Sequence, residues 1–319
     1  MIFRPAAESD LRRITPLLVP DPACAVTPGL FEIRISSREY RPEWTWIAEE
    51  STGGALLAAA FWWARPQESQ PAALDGMFVH ASVGSPADRT KVAASLLAAA
   101  HRAYAKAGGA RPPDCHIFLP GDWRDRPDAL AALAWRREAA WQAGLSASLE
   151  RLCYEWTPAA GLPDPSGRLL FRAEPDDEVF VGLFRRVLAG TLDATSRKEA
   201  EETGAETQAR EDVAFYHEKM SGDRAWWRVA QTPDGAVTGF GIPSRNTEFP
   251  VVGYLGVLPE HRGHAYVDEI LAEITRILAV QAGATVIRAD TDLANLPMAA
   301  AFDRVGYRNF SRRLVLSGR

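Results

Sequence analysis

The chain has 319 residues, a length that suggests two domains of ordinary size, each able to bury a core. Its 36 Lys+Arg against 41 Asp+Glu leave a net charge of −5, with acids and bases mixed along the chain, which argues against a nucleic-acid binder. The three cysteines, Cys24, Cys115 and Cys153, are far apart and form no CxxC, which argues against a zinc site or a disulfide framework and fits a reducing compartment. The N-terminal residues turn polar before a signal-peptide core forms, and the longest apolar run, 54–64, is too short to span a bilayer. The expectation is a cytoplasmic protein with no membrane partner.

In chain order, Ile2–Pro5 reads as a short strand. Glu8, Ser9 and Asp10 start a helix whose apolar face is Leu11, Ile14, Leu17 and Leu18. The segment up to about Arg41 is rich in Pro and turn residues, and periodicity does not place it. Residues 44–49 and 55–63 predict an antiparallel hairpin across the turn 51–54. A strand over 74–80 leads through a Gly/Ser/Pro loop to a helix over 88–107. Residues 115–119 form a strand, 129–143 a helix ended by Gly144, and 149–156 a closing strand.

Residues 157–167 are dense in Pro and Gly without periodicity and read as a linker. The same order of elements then begins again. Residues 170–173 repeat the first strand, 176–188 the first helix, and 226–231 with 236–242 the hairpin, its turn at 232–235. Residues 251–257 are the strand before a long helix, 285–290 the strand after it, 297–305 the last helix and 312–316 the last strand. Shared order at a near-constant offset argues for duplication of one α/β fold, with two unrelated mixed domains as the alternative. In each copy the strands flanking the long helix should be parallel neighbours joined by a right-handed crossover, and the other pairs antiparallel.

The stretch 257–278 carries the chemistry. A proline stop and an Arg/His/Gly turn precede a helix striped by Val267, Ile270, Leu271, Ile274, Ile277 and Leu278. His261, Arg262 and His264 put basic groups at the helix start, where the macrodipole disfavours cations and an anion would relieve the conflict. An exposed basic surface loop is the alternative. A metal held by His261 and His264 has no third ligand nearby in sequence. Gly256, inside an apolar strand, reads as a bulge that splays the strand from its neighbour, or as a packing glycine.

The strand 251–257, the turn from Val257 to His264, the long helix, the next strand and the pattern Asn295…Phe302…Gly306-Tyr307 together resemble the acetyl-CoA-binding core of the GNAT N-acetyltransferases. The resemblance covers most of 168–319 clearly and 1–157 more faintly. It implies two tandem GNAT-like domains of the α/β (α+β) class. Each would be a mixed, mostly antiparallel sheet with one parallel pair splayed at its centre and helices on both faces. The implied domains are 1–157, degenerate, and 168–319, binding acetyl-CoA, with 158–167 as linker. In the first, Arg89 and Ala94 fit the pattern while Val92 stands at the first glycine position.

The resemblance further implies an acetyl transfer to the primary amine of a small molecule, with no metal, by direct attack in a ternary complex. A non-catalytic acyl-CoA-binding or regulatory protein is the alternative. The residues implied for acetyl-CoA are Val257, Leu258, Arg262, Gly263, His264, Ala265, Tyr266, Val267, Asn295 and Phe302, with an oxyanion donor at the backbone of Val257 or Leu258. Ala265 replaces the family's second glycine and is strained if its φ is positive. Phe302 replaces the tyrosine acid, so Tyr266, Tyr307, Ser311 or water would substitute. Glu248 is the expected base, Tyr254 the next, then Asp290 or Asp292. The acidic segment 193–212 would cover the acceptor cleft, or be a solvated helix face. The pairs Trp62-Trp63 and Trp226-Trp227 are expected on sheet faces or between the copies, with an aromatic acceptor pocket as the alternative. The partner would be a small amine, and the chain a monomer or homodimer.

Overall fold

The computed structural model describes residues 1–318, and the periodicities resolve there into strands and helices in this order. The first half holds β1 (Ile2–Pro5), α1 (Leu11–Ile14), α2 (Pro28–Ser36), β2 (Thr45–Glu49), β3 (Leu56–Trp63), β4 (Ala73–Val79), α3 (Pro86–Lys106), β5 (Asp114–Pro120), α4 (Pro127–Gln142) and β6 (Ala147–Trp156). The second holds β7 (Leu170–Ala173), α5 (Asp177–Val187), α6 (Ala194–Thr203), α7 (Ala205–Glu218), β8 (Arg228–Gln231), β9 (Val237–Arg245), β10 (Pro250–Val257), α8 (Tyr266–Arg276), β11 (Ile287–Asp292), α9 (Leu296–Arg304) and β12 (Arg308–Ser317). Helix starts follow local chemistry. Ser85 caps α3 by accepting from Asp88 N–H with Pro86 at the first position, and Asp176 caps α5 by accepting from Glu178 N–H.

Two compact units divide the chain. One is Met1–Glu150 with Ser311–Arg319, the other Arg151–Phe310. Within the first, the strand order is β1, β2, β3, β4, β5, then residues 311–316 of β12. Within the second it is β7, β8, β9, β10, β11, then residues 151–156 of β6. The topologies are the same, as duplication predicts, and in each the only parallel pair among the described residues is β4 with β5 or β10 with β11.

The boundary expected at 157–168 is therefore moved. The end of the first half completes the sheet of the second unit, antiparallel to β11, while the end of the second half completes that of the first, antiparallel to β5. Hydrophobic alternation marks 151–156 and 311–316 as strands but carries no information on their partners. Three smaller differences also appear. The unplaced segment before Arg41 contains α2, capped by Thr27 with Pro28 at its first position; only Phe31 is fully buried, so its stripe is weak. The acidic segment 193–212 forms α6 and most of α7. The long helix stops at Arg276 and continues as a π turn, Ile277–Gln281.

Helices cover both faces of each sheet. In the first unit α3 and α4 pack through Leu96, Leu97, Leu133 and Ala139 on one face, and Ile14, Phe31 and Phe61 fill the other. In the second, Ile270, Leu271, Ile274, Ile277 and Leu278 form the buried stripe of α8 and its continuation, each at most 2 % exposed. The opposite face is filled by Phe180, Phe184 and Phe240 beneath α5 and α7. Val267 stands outside the stripe, being only partly buried. No helix among the described residues is long and apolar enough to cross a membrane.

Candidate functional site

In the second unit the parallel pair meets at a single register point, Val251 opposite Arg288, whereas β9 and β10 pair along their whole length. Beyond Val251 the two strands diverge, and the later half of β10 has an open edge. Leu258 N–H donates to Thr238 O at 2.8 Å on the β9 side. Alternation in an antiparallel ladder then turns the N–H groups of Leu255 and Val257 toward the open edge. Val257 is thus available as a backbone donor. Leu258 is not: it is fully buried and its N–H is bonded.

The expected bulge at Gly256 lies three residues earlier. The register shifts between Val252 and Tyr254, at Gly253, whose carbonyl accepts from Tyr216 Oη at 2.6 Å. Gly256 pairs regularly with Phe240, and a Cβ there would stand 2.8 Å from Val187 Cγ1, so it is a packing glycine.

Residues 259–265 carry the chain from β10 into α8. Ala265 is left-handed, with φ 57° and ψ 22°, and as an alanine at the cap it gives no side-chain acceptor to the first turn. Unpaired amides at a helix start form an anion site. The guanidinium of Arg262 is spent elsewhere. Nη2 donates to Val187 O at 2.9 Å, Nη1 to Ala189 O at 2.8 Å and Gly190 O at 3.1 Å, and Nε to Val257 O at 3.2 Å. It ties the turn to the C-terminal end of α5, where the helix dipole favours a cation.

One cleft of about 350 Å³ follows the open edge and the turn. Tyr254, Val257, Arg262, Gly263, Ala265, Tyr266, Val267 and Asn295 line it. Asn295 also caps α9, its Oδ1 accepting from Met298 N–H at 3.4 Å. His264 is stacked on Tyr266 at 5.6 Å, outside the lining. Besides Leu258 and His264, two more expected residues are outside the lining. Phe302 is 1 % exposed and packs between Tyr154 at 4.6 Å and Tyr307 at 5.2 Å, in the core. Glu248 is exposed in the turn before β10, nine residues and about 30 Å of extended chain from Val257. Of the proposed substitutes for a tyrosine at 302, Tyr307 is buried against Thr275, Oη to Oγ1 2.8 Å, and Ser311 belongs to the other unit. Tyr254 and Tyr266 are the phenols that reach the cleft.

Beside Tyr254 lies a carboxylate cluster that sequence reasoning missed in its particulars. Burial, then the charges of Asp212 and Asp193, push the Tyr254 phenol up, so it stays protonated. Burial pushes the Asp212 carboxyl up to about 7, Gln208 opposes this by hydrogen bonding, and the nearby charge of Glu199 adds to it. Gln208 Nε2 bridges the two acids, 3.1 Å to Asp212 Oδ1 and 3.1 Å to Glu199 Oε2. Arg151 gathers the remaining acids, at 3.3 Å from Asp193, 2.9 Å from Asp290 and 3.0 Å from Asp292. The acidic segment 193–212 was visible in the sequence. Which acid is buried was not, because α7 turns Asp212 inward one residue after the exposed Glu211.

The matching place in the first unit is filled. β4 and β5 also pair only at their start, Ala73 with Asp114 and Leu74 with Cys115. Arg136, 2 % exposed, occupies the gap: its Nε and Nη2 donate to Met77 O at 3.2 and 3.0 Å, and Nη2 reaches Asp21 Oδ2 at 2.8 Å. About 10 Å³ remains among Cys24, Gly76, Met77 and Arg136. Arg89, expected in a phosphate turn, is inside α3 with Nε on Val83 O.

No protein-family model and no curated protein matches the sequence. Solved structures do match the fold. A GCN5-related N-acetyltransferase from Sphaerobacter thermophilus aligns at a TM-score of 0.59 and 15 % identity, covering 98 % of this chain and 94 % of that one. A tandem GNAT protein from the clavulanic acid biosynthesis pathway aligns at 0.52 and 20 %, covering 99 % and 98 %. A glucosamine N-acetyltransferase region of a fungal multi-domain β-N-acetylglucosaminidase aligns at 0.56 and 14 %, covering 98 % of this chain and 38 % of that one. With two units of one topology, a single diverging parallel pair in each, and this agreement along nearly the whole chain, the fold is that of a tandem GNAT acetyltransferase.

Proposed function

We propose that the chain is an N-acetyltransferase that moves an acetyl group from acetyl-CoA to the primary amine of a small molecule, by direct attack in a ternary complex, with its active centre in the second unit. One observation carries this reading: the open edge of β10 runs into the uncapped turn before α8 within a single cleft. The fold likeness to acetyltransferases, one of them a glucosamine N-acetyltransferase region, supports it.

The residues present fit acyl-CoA. The open-edge amides of Leu255 and Val257 suit an amide-bearing pantetheine arm, and the first-turn amides of α8 suit a diphosphate. Acetyl-CoA supplies an acyl group already activated as a thioester. The chain does the rest by holding, polarising and moving protons. Val257 N–H is the donor toward the oxyanion. Asp212, which does not itself line the cleft but whose charge acts on the cleft phenol Tyr254, is raised to about 7 and is the base that takes the amine's proton, a role first expected for Glu248. Tyr254, held protonated, donates to the departing sulfur. The acids around Arg151 give the acceptor side a negative field that favours a cationic amine. The first unit, plugged by Arg136, is the degenerate copy.

Calorimetry with acetyl-CoA and a thiol-release assay on an amine panel test the proposal. Saturable binding with amine-dependent thiol release is the expected result, and no binding heat overturns it. A non-catalytic acyl-CoA-binding protein is the second reading, favoured by the core position of Phe302. It predicts binding without release on any amine.

A further inference from the structure

The first unit contains a second, larger cavity, about 530 Å³, away from its plugged strand pair. It lies at the C-terminal end of α3, whereas the gap filled by Arg136 lies between β4 and β5. Its origin is visible in the chain. Ala100 and Ala103 on α3 and Ala107 at its C-cap form a small-residue stripe, and opposite stand Trp44, Trp46 and Trp62. Three indoles facing three alanines leave a space that the protein's own side chains do not fill.

The lining is chemically selective. It includes Glu43 and no lysine or arginine; Arg41, outside the lining, covers one face of Trp44 at 3.9 Å, which leaves Trp46 and Trp62 as the indoles with no arginine over them among the described residues. Glu43 is exposed and forms no ion pair among the described residues. His101, 8 % exposed, stands edge-on to Trp62 at 6.2 Å. Its Nδ1 lies 3.1 Å from Ala143 O, and since a carbonyl only accepts, Nδ1 carries the proton. Nε2 therefore presents a lone pair, buried and without a partner among the described residues. Burial lowers the pKa of this imidazole and keeps it neutral. Tyr104 Oη donates to Gln70 Oε1 at 3.1 Å at the rim. Aromatic faces attract cations, a carboxylate at the mouth adds to the attraction, and an unpaired acceptor in the wall calls for an N–H.

We propose that this cavity binds a small hydrophobic ammonium ion, its apolar body among Trp44, Trp46 and Trp62, its charge toward Glu43 and the ring faces, and an N–H toward His101 Nε2. The first unit is then a ligand-binding unit in its own right. The proposal stands on the first unit alone and does not depend on acyl transfer in the second.

The test is calorimetry with three near-isosteric probes on the full chain: 4-phenylbutylammonium, 4-phenylbutanol and 4-phenylbutyrate. The ammonium is expected to bind saturably and at least tenfold tighter than the alcohol, with the carboxylate weakest. Glu43→Gln, at an exposed position, is expected to weaken the ammonium severalfold while leaving the alcohol unchanged. Ala103→Trp, which fills the cavity, is expected to abolish binding. Equal affinity for all three probes, or ammonium binding that survives Ala103→Trp in a folded protein, overturns the proposal. An Arg262→Glu variant, which disturbs the acyl-CoA turn and its tie to α5 in the second unit, should bind the ammonium as the wild type does, and a parallel loss in a folded variant also overturns it.

Discussion

Arg262 Nη2 donates to Val187 O at 2.9 Å, the last residue of α5, and the remaining guanidinium nitrogens serve three more carbonyls. The arginine of the turn thus holds the loop in place rather than offering its charge to a phosphate.

Arg262→Lys should lose most of this clamp, because one ammonium cannot span carbonyls on both the helix end and the strand. A loss of about 1–3 kcal/mol follows from charge-assisted hydrogen bonds of this kind, or a fall in Tm of roughly 2–4 °C for each kcal/mol. Acetyl-CoA affinity should drop as the loop loosens, while the salt dependence of binding stays as in the wild type. A shallower salt slope in a charge-removing Arg262→Gln variant would mean that Arg262 contacts phosphate after all.

Ala265 sits at φ 57°, where a Cβ is disfavoured. Ala265→Gly should relieve that strain. The gain is about 0.5–1 kcal/mol after allowing for the added freedom of glycine in the unfolded chain. Thermal unfolding should show a higher Tm with acetyl-CoA affinity retained or improved. A lower Tm would place the strain elsewhere.

Much of the fold was legible because it follows from short-range patterns: the hairpins, most of the stripe of α8 and the single parallel pair in each copy. The turn 259–265 was legible for the same reason, since Pro, Gly and a following apolar stripe fix it locally. The fates of Glu248, Phe302 and Asp212 were not. Each depends on which way one residue turns relative to elements distant in sequence: Phe302 against Tyr154, from the first half of the chain, and Asp212 toward Tyr254. The exchange of 151–156 and 311–316 escaped because strand identity is local and strand partnership is not.

The plug at Arg136 predicts one acetyl-CoA per chain. Calorimetric titration should give a stoichiometry near one, and Arg262→Glu should remove all of the binding heat rather than half. Arg136→Met should cost about 3–5 kcal/mol, the usual penalty for breaking a buried charge pair by removing one partner, since Met77 O and Asp21 lose their donor. Two equivalents bound by the wild type would show that the first unit opens.

Asp212 gives the most discriminating test, because stability and activity should move in opposite directions. Its carboxyl titrates near 7 in the folded protein against about 4 in an unfolded chain. The folded state therefore holds the extra proton between pH 4 and 7. Stability falls as pH rises through that window and the full penalty is reached above pH 7, at most on the order of 3–4 kcal/mol and shared with Glu199. Asp212→Asn keeps the Gln208 hydrogen bond and cannot ionise. It should raise Tm by several degrees at pH 8 and have no effect near pH 4. The same substitution should lower kcat/KM for transfer by about 100-fold or more, the usual contribution of a general base, and remove a rising limb centred near pH 7. Glu248→Gln should leave Tm unchanged and kcat/KM within about twofold of wild type, a change too small to count as loss of a general base. If Asp212→Asn stabilises the protein at pH 8 and leaves the rate untouched, the carboxyl is buried for another reason and the base lies elsewhere in the cluster around Arg151.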